Sequence, residues 1–175
     1  MKVDVEYLEY MWPMRHFLIT CGDINRDQKN IIAVSFCMPV AKEPPLIACA
    51  IGKNAYSYKL INETREFVVN IPQKELKSEI YYCGYHSGYQ VNKFEETDLN
   101  YDKAKSVKAP IVAECVAHME CVLNKKIKTG EKFLFVGEVV EAYAEESLVK
   151  GDKTSDYAQG SFPEKVYATR FKNRD

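Results

Sequence analysis

The sequence lacks the features of a membrane-spanning chain and of a nucleic-acid-binding chain. It has 24 Lys and Arg residues against 25 Asp and Glu residues, which gives a formal net charge of −1. No segment approaches the ~18 consecutive apolar residues of a membrane helix, and the longest relevant run, residues 46–51, has the length of a strand. The densest basic stretch is only Lys125, Lys126 and Lys128, which predicts a solvated turn. We therefore expect neither a nucleic-acid nor a membrane partner.

An export signal and paired-cysteine motifs are also missing. Asp4, Glu6 and Glu9 precede any apolar stretch, whereas a signal peptide begins with a basic region followed by an apolar one. We therefore expect a cytoplasmic location, where the six cysteines remain reduced thiols. No Cys-x-x-Cys pair occurs among them.

One spacing superficially resembles a metal site. Cys115 and Cys121 flank His118 at three-residue intervals. The surrounding residues 111–122 have the composition of a strand, in which successive side chains point to opposite faces. Both cysteines would then point away from the histidine, so we expect no metal.

Catalytic motifs are scarce. The sequence contains no G-x-G-x-x-G, G-x-S-x-G or H-E-x-x-H pattern, and its three histidines lie on separate segments. Gly52 and Lys53 resemble the end of a phosphate-binding P-loop, but Ile47 and Asn54 break the motif. Cys83 and His86 are close in sequence, which does not establish a nucleophile and its base.

Short β-rich segments recur along the chain and predict a mainly β fold. Apolar and polar residues alternate in several of them, and proline and glycine bound them. The predicted strands cover residues 16–21, 31–38, 46–51, 67–71, 111–122, 133–142 and 166–171. Because strands and helices do not alternate throughout, we expect a mostly antiparallel, closed or nearly closed small barrel with peripheral helices. Length alone favours a single domain over residues 1–175.

Two short helices and a long loop interrupt the strands. Leu60, Ile61 and Thr64 fit a helix whose first turn Ser57 would cap. A second helix would contain residues 76–83 and end at Gly84. The polar segment 85–108 predicts a long functional loop with at most a short helix around residues 91–96.

The start of the first predicted helix has the features of an anion site. Residues 51–59 pass from the end of a strand through a turn into the helix, and no acidic residue lies between Lys53 and Asn62. The first N–H groups of a helix lack partners within it, and the helix dipole adds positive potential. Ser57 adds a hydroxyl, and Lys53 and Lys59 add charge. These features suit a phosphate as well as they suit a plain helix start with two solvated lysines.

Several segments, taken in order, resemble the flavin reductase-like (flavoredoxin) family, most strongly over residues 13–142. These segments are residues 30–40, 44–47, 51–53, 56–57, 66–70, 83–88, 92–94 and 133–139. The resemblance implies an FMN-binding split β-barrel, FMN rather than FAD, and a homodimer with the flavin near the subunit interface. The sequence departs from the family pattern at Phe36, where Trp is more frequent, and at Lys132, where His is.

The resemblance also implies which residues hold the flavin. The isoalloxazine ring would lie against Ser35, Phe36, Cys37 and Met38. The ribityl phosphate would lie at Gly52, Lys53, Tyr56 and Ser57, with Ser87 and Lys93 closing over it. The predicted phosphate position coincides with the anion site described above.

The function implied is an oxidoreductase. Electrons would pass from NAD(P)H or a reduced protein donor such as ferredoxin, through FMN, to a small acceptor, a metal complex or a redox protein. Because a flavin supplies its own redox chemistry, the protein needs only to bind, orient and tune it. The alternatives are an FMN electron-carrier module that serves only protein partners, and a split barrel that binds pyridoxal phosphate, haem or no cofactor.

Overall fold

The computed structural model describes residues 2–146. The strands are β1 (Phe17–Asp23), β2 (Gln28–Val34), β3 (Cys37–Ala41), β4 (Leu46–Gly52), β5 (Glu66–Ile71), β6 (Tyr101–Asp102), β7 (Ile111–Val112), β8 (Ala117–Thr129) and β9 (Lys132–Ala144). The α-helices are α1 (Tyr56–Thr64) and α2 (Lys77–Tyr85), and short 3-10 helices cover Tyr7–Met11, Ile24–Arg26 and Lys74–Leu76. The predicted strand at residues 166–171 lies outside the described residues.

Seven strands form one antiparallel sheet in the order β2-β1-β5-β8-β9-β4-β3, and β6 pairs with β7 separately. The prediction of a mainly β, mostly antiparallel fold with peripheral helices is confirmed. The sheet is not closed, however: β2 and β3 are its two edges. Since these edges follow one another in the chain, Ser35 and Phe36 link the two sides of the opening, which we call the seam.

Two of the predicted strands are each divided in the structure. The stretch 31–38 ends as a strand at Val34 and resumes at Cys37, because the chain turns there and the N–H of Cys37 donates to the carbonyl of Ser35 at 2.9 Å. The stretch 111–122 is interrupted by a turn in which the N–H of Cys115 donates to the carbonyl of Val112 at 3.1 Å.

Two smaller predictions are also wrong. The basic residues 125–128 lie in the exposed outer half of β8 and not in a turn. Helix α2 continues through Gly84, and His86 follows its end. Residues 91–96 contain turns without a helix, which agrees with the prediction of a loop with at most a short helix.

Two apolar cores hold the sheet and the helices together. Helix α1 contributes Leu60 and Ile61 to the core inside the curved sheet, which includes Phe67 and Phe135. A Cβ on Gly137 would lie 2.5 Å from Cζ of Phe67, so glycine is required for that ring to fit. Helix α2 contributes Ile80 and Cys83 to a second core against β1 and β2. Both helices are thereby fixed relative to β2.

The long segment after α2 is fixed at its far end by a buried carboxylate. Glu120, on β8, is fully buried. Its oxygens accept hydrogen bonds from the backbone N–H groups of Lys105, Ser106 and Val107 at 2.6–3.2 Å and from the hydroxyl of Tyr143 at 2.8 Å. Carboxylates bound in this way make strong, charge-assisted contacts, so the segment is held against the sheet.

Candidate functional site

The phosphate end of the candidate site is built around Asn30 on β2. The buried side chain of Asn30 donates from Nδ2 to Oγ of Ser57 at 2.8 Å. Helix α1 begins at Tyr56 after Ala55, and no side chain caps it. Ser57 therefore does not cap the helix as predicted; it joins α1 to β2 because its hydroxyl accepts the amide hydrogen.

The start of α1 retains the features of an anion site. Its first turn contains no acidic residue, and the first N–H groups of a helix have no partners within the helix. Lys53 is exposed beside this turn. The ammonium of Lys59 lies 3.9 Å from the carboxylate of Glu63. The N–H of Tyr58 already donates to the carbonyl of Ala55 at 3.0 Å, and Ser57 is fully buried. The ammonium of Lys53 is therefore an exposed donor that this helix start offers a phosphate.

The loop after α2 packs directly on this helix start. A Cβ on Gly88 would lie 2.3 Å from Oδ1 of Asn30 and 2.9 Å from Cδ1 of Tyr56, so only glycine permits the approach. The ring centroids of Tyr56 and Tyr89 lie 4.8 Å apart. Oγ of Ser87 accepts a hydrogen bond from the N–H of Tyr89 at 3.3 Å. The loop that the sequence predicted to close over the phosphate thus lies at the predicted helix.

Lys93 is held inside the structure. It is 3% exposed, and its ammonium donates to the carbonyl of Ile31 at 2.9 Å and to that of Cys83 at 2.7 Å. Burial lowers the pKa of this ammonium. Lys93 therefore ties the loop to β2 and α2, while its contact with a phosphate remains a prediction.

The predicted ring-binding residues lie at the seam. Ser35 and Phe36 form the link itself, and Cys37 on β3 lies opposite Cys49 on β4. Phe36 and Met38 are 37% and 57% exposed, so an aromatic and a thioether side chain are available to a flat ligand. Ser35 follows the end of β2 and lies five positions after Asn30, about 16 Å at the usual rise per residue. Because this spacing is odd, the two side chains point to opposite faces of the strand.

Gly52 lies where β4 leads into α1. It is the last residue of β4 and lies opposite Lys132 on β9. The ten predicted residues thus form two groups along β2, β3 and β4: Ser35 to Met38 at the seam, and Gly52, Lys53, Tyr56, Ser57 and Ser87 around the start of α1, with Lys93 buried beneath the loop.

Burial raises the pKa of Cys83 to about 11 and that of Cys37 to about 12. Reactive cysteines require a stabilised thiolate, and the position of Cys83 in the core beneath α2 disfavours that form. The ring of His86 stacks on Tyr82 at 3.9 Å between centroids. Within residues 2–146, no three histidine, cysteine or acidic side chains are placed to hold a metal ion.

Sequence reasoning missed His16. Its Nδ1 lies 2.9 Å from Oγ of Ser35, and its ring is 6% exposed. The available signal was the β1–β2 hairpin: Phe17 lies opposite Val34, so His16, just before β1, lies across from Ser35, just after β2. His16 and Ser35 are far apart in the sequence, and only the register of β1 against β2 brings them together.

A family model described as the flavin reductase like domain matches residues 12–164. The chain belongs to this flavin reductase-like family. The family's flavin-related redox function agrees with the geometry of the site. Across residues 2–146, no helix is both long and apolar enough to cross a membrane.

Relatives and solved structures agree with this membership. This flavin reductase-like chain is 35% identical to an uncharacterized protein of Archaeoglobus fulgidus over 153 residues, 87% of this chain and 85% of the relative. It is 26% identical to a Streptomyces globisporus protein named NADH-dependent FAD reductase over 126 residues, 71% of this chain and 66% of the relative.

Two solved structures share the fold of this family member. The flavoredoxin of Desulfovibrio vulgaris (Miyazaki F) superposes with a TM-score of 0.78 at 27% identity, covering 86% of this chain and 80% of the other. An FMN-binding protein from Thermus thermophilus superposes with a TM-score of 0.76 at 21% identity, covering 86% and 81%. The open seven-stranded sheet is therefore the split barrel predicted from the sequence.

Proposed function

We propose that this protein binds FMN and acts as an oxidoreductase. Electrons pass from NAD(P)H or a reduced protein donor such as ferredoxin, through the flavin, to a small acceptor, a metal complex or a redox protein. The observation that carries the proposal is the meeting of Tyr56, Ser57 and Gly88 around Asn30, on the same strand that leads to the seam. This arrangement provides a phosphate position at the start of α1, and β2 leads from there to the ring position at the seam.

The residues fit the two ends of FMN. The flavin supplies the redox chemistry when bound. The start of α1 and Lys53 attract the phosphate, while Ser35 to Met38 provide a hydroxyl, an aromatic ring, a thiol and a thioether beside the ring. A site built around one helix start suits the single phosphate of FMN rather than the diphosphate of FAD. The naming of the Thermus thermophilus neighbour as FMN-binding supports the same choice.

A nicotinamide donor is supported by the Streptomyces relative, which is named for NADH dependence. The purified chain should show a flavin spectrum, and heat should release FMN. Mixing the FMN-loaded protein anaerobically with NADH or NADPH should bleach the flavin band. If the flavin stays oxidised with both nucleotides, the nicotinamide donor is wrong and reduced ferredoxin is tested next. A colourless chain that fails to bind added FMN contradicts the proposal as a whole.

The exposed apolar side of β3 supports a homodimer. Phe36, Met38 and Val40 are 37%, 57% and 45% exposed on one edge of the sheet. Edge strands with exposed apolar side chains favour pairing with another chain. We propose that two copies associate through this edge and that the flavin ring lies beside the contact. Light scattering of Met38→Lys should then give the monomer mass, while the same measurement on the unaltered chain gives the dimer mass.

A further inference from the structure

A positively charged surface lies where β8 turns into β9. We call residues 124–132 the basic hairpin. Its charged residues are Lys125, Lys126, Lys128, Glu131 and Lys132. The basic hairpin therefore carries a net charge of +3, whereas the whole chain carries −1. Strand β5 pairs with β8 only as far as Val122, so the hairpin extends beyond its neighbour, and residues 124–131 are exposed.

The chain itself does not neutralise these lysines. Among residues 2–146, no carboxylate lies within 4 Å of a lysine ammonium of the basic hairpin. Uncompensated charges of one sign create a potential that extends into the solvent and attracts molecules of the opposite charge. The basic hairpin is thus a surface on which an acidic partner is stabilised.

One lysine of the basic hairpin is held in position. The ammonium of Lys126 donates to Oδ1 of Asn62 at 2.6 Å. It also lies 5.2 Å from the ring centroid of Tyr58 and 5.4 Å from that of Phe133. These contacts fasten the hairpin to α1. Because this charge is already ordered, a partner that binds to it loses less of the affinity to side-chain ordering.

The basic hairpin borders the proposed flavin site. Lys132 lies opposite Gly52, from which the chain leads through Lys53 to the start of α1. The ammonium of Lys132 lies 5.9 Å from the ring centroid of Phe36 at the seam. The positive surface therefore reaches from the hairpin to the proposed positions of the phosphate and of the ring. A molecule bound on this surface lies beside the flavin.

The arrangement of the lysines favours a protein over a nucleotide as the partner. Successive side chains of a strand point to opposite faces, so Lys126 and Lys128 lie on one face of the hairpin and Lys125 on the other. These charges do not converge on one diphosphate, and small-molecule sites are concave. Ile127, 42% exposed among the lysines, offers the apolar contact typical of the centre of a protein interface.

We propose that the basic hairpin is the docking surface for an acidic electron-transfer protein, which is the electron donor of this chain. The inference rests on the proposed function, because the flavin beside the hairpin is the group that the partner reduces. Attraction between the two charged surfaces speeds their encounter and weakens as salt is added. Two strands, β9 and β4, separate β8 from the β3 edge at which we place the dimer contact, so the two associations use different surfaces.

The electron count is complete with this partner alone. Each reduced partner molecule gives up one electron when its one-electron centre, such as an iron–sulfur cluster, is oxidised. Two encounters therefore supply the two electrons that the bound FMN takes up, together with one proton from the solvent. No bond between the two proteins forms or breaks.

Charge reversal on the basic hairpin tests the docking. Lys125→Glu combined with Lys128→Glu inverts two exposed charges and leaves the ten proposed flavin residues unchanged. Lys103→Glu combined with Lys108→Glu makes the same change in net charge at exposed positions of the segment that Glu120 holds, and is the matched control. Both variants should keep the circular dichroism of the unaltered chain.

The rate of flavin reduction is measured by stopped flow with a reduced plant-type [2Fe–2S] ferredoxin of net negative charge. For the unaltered chain the second-order rate constant should fall roughly tenfold from about 0.02 M to about 0.5 M salt. At low salt the hairpin variant should be roughly tenfold slower and nearly independent of salt. The control variant should behave like the unaltered chain. A flavin that stays oxidised, a rate independent of salt, or an equal fall in both variants overturns the proposal.

A binding measurement distinguishes a failure of this proposal from a failure of the proposed function. Calorimetric titration with the oxidised ferredoxin requires no electron transfer and is performed with and without added FMN. At low salt the Kd should rise roughly tenfold in the hairpin variant and stay unchanged in the control variant. If the chain binds no flavin but shows this hairpin-dependent binding, the docking surface stands and the flavin function is wrong. If no binding is detected, or all three proteins give the same Kd, the docking surface is overturned.

Discussion

The ammonium of Lys132 lies 5.9 Å from the centroid of the Phe36 ring. Lys132 is on β9 and Phe36 precedes β3, so the lysine reaches across β4, which lies between them in the sheet. These are the two positions at which the sequence departs from the pattern of its family. A cation over an aromatic face is stabilised by about 0.5–1 kcal/mol at an exposed site, so the two departures form an interacting pair.

Replacing this lysine should change the flavin potential. A cation beside the isoalloxazine ring favours the anionic reduced flavin. Lys132→Met should therefore lower the midpoint potential of the bound FMN by ~20 mV, the equivalent of about 1 kcal/mol for two electrons. A potentiometric titration of the FMN-loaded protein measures this. Lys128→Met removes an exposed lysine from the same hairpin and should leave the potential unchanged. Equal potentials in both variants would place the ring away from Lys132.

The bond between Asn30 and Ser57 predicts a coupled loss of stability and flavin affinity. Ser57→Ala leaves the buried amide of Asn30 without its acceptor, and the free energy of unfolding should fall by about 1–3 kcal/mol. FMN affinity should fall by roughly tenfold, because the hydroxyl is one of the proposed phosphate ligands. Urea denaturation and quenching of flavin fluorescence measure the two effects. Ser78→Ala, at an exposed position of α2, should change neither; a Ser57→Ala protein with full FMN affinity would move the phosphate elsewhere.

The contact of Gly88 with Asn30 and Tyr56 predicts that no side chain is tolerated there. In Gly88→Ala the loop must move away from α1, since a Cβ would lie within 3 Å of both neighbours. We expect a loss of about 1–3 kcal/mol in stability and weaker FMN binding. Gln90→Ala, an exposed position of the same loop, is the control for side-chain loss. Equal FMN dissociation constants for the two variants would show that the loop does not close over the flavin.

The buried histidines predict a loss of stability on the acid side. His118 is 6% exposed, its Nδ1 lies 2.9 Å from Oδ1 of Asn70, and burial lowers its pKa. Below its ordinary value of 6.5 the unfolded chain therefore binds a proton that the native chain does not, and stability present above that pH is lost as the pH falls. The free energy of unfolding of the unaltered chain should decline from pH 7 to pH 5. His118→Gln should show a smaller decline over that interval; parallel curves would show that this histidine is not responsible.

The sequence predicts the elements better than their breaks. Alternation and turn residues locate the β segments, but alternation continues through residues 31–38, although the sheet partner changes between Val34 and Cys37. A change of partner leaves no mark on the side-chain period. The exposed outer half of β8 is not predicted, for the opposite reason. Residues 125–128 have solvent on both faces and therefore show no alternation that would identify them as a strand.

In the candidate site, too, local features are predictable and long-range contacts are not. The helix start at Tyr56 and Ser57 is recognisable in the sequence as a turn without acidic residues, and the structure places the predicted loop against it. The hydrogen bonds of Ser57 and His16 depend on which strands pair and in which register, and composition does not carry this information. The family pattern supplied the segment around Ser35, whereas the contact of Ser35 with His16 follows from the pairing of β1 with β2.

The seam has a further consequence. Its two sides are successive strands joined by Ser35 and Phe36. From Val34 to Cys37 the chain makes three Cα-to-Cα steps, which span at most about 11 Å when fully extended. The two-residue link therefore acts as a tether that limits how far the ends of β2 and β3 can separate, while β1 and β4 set the registers of these two strands.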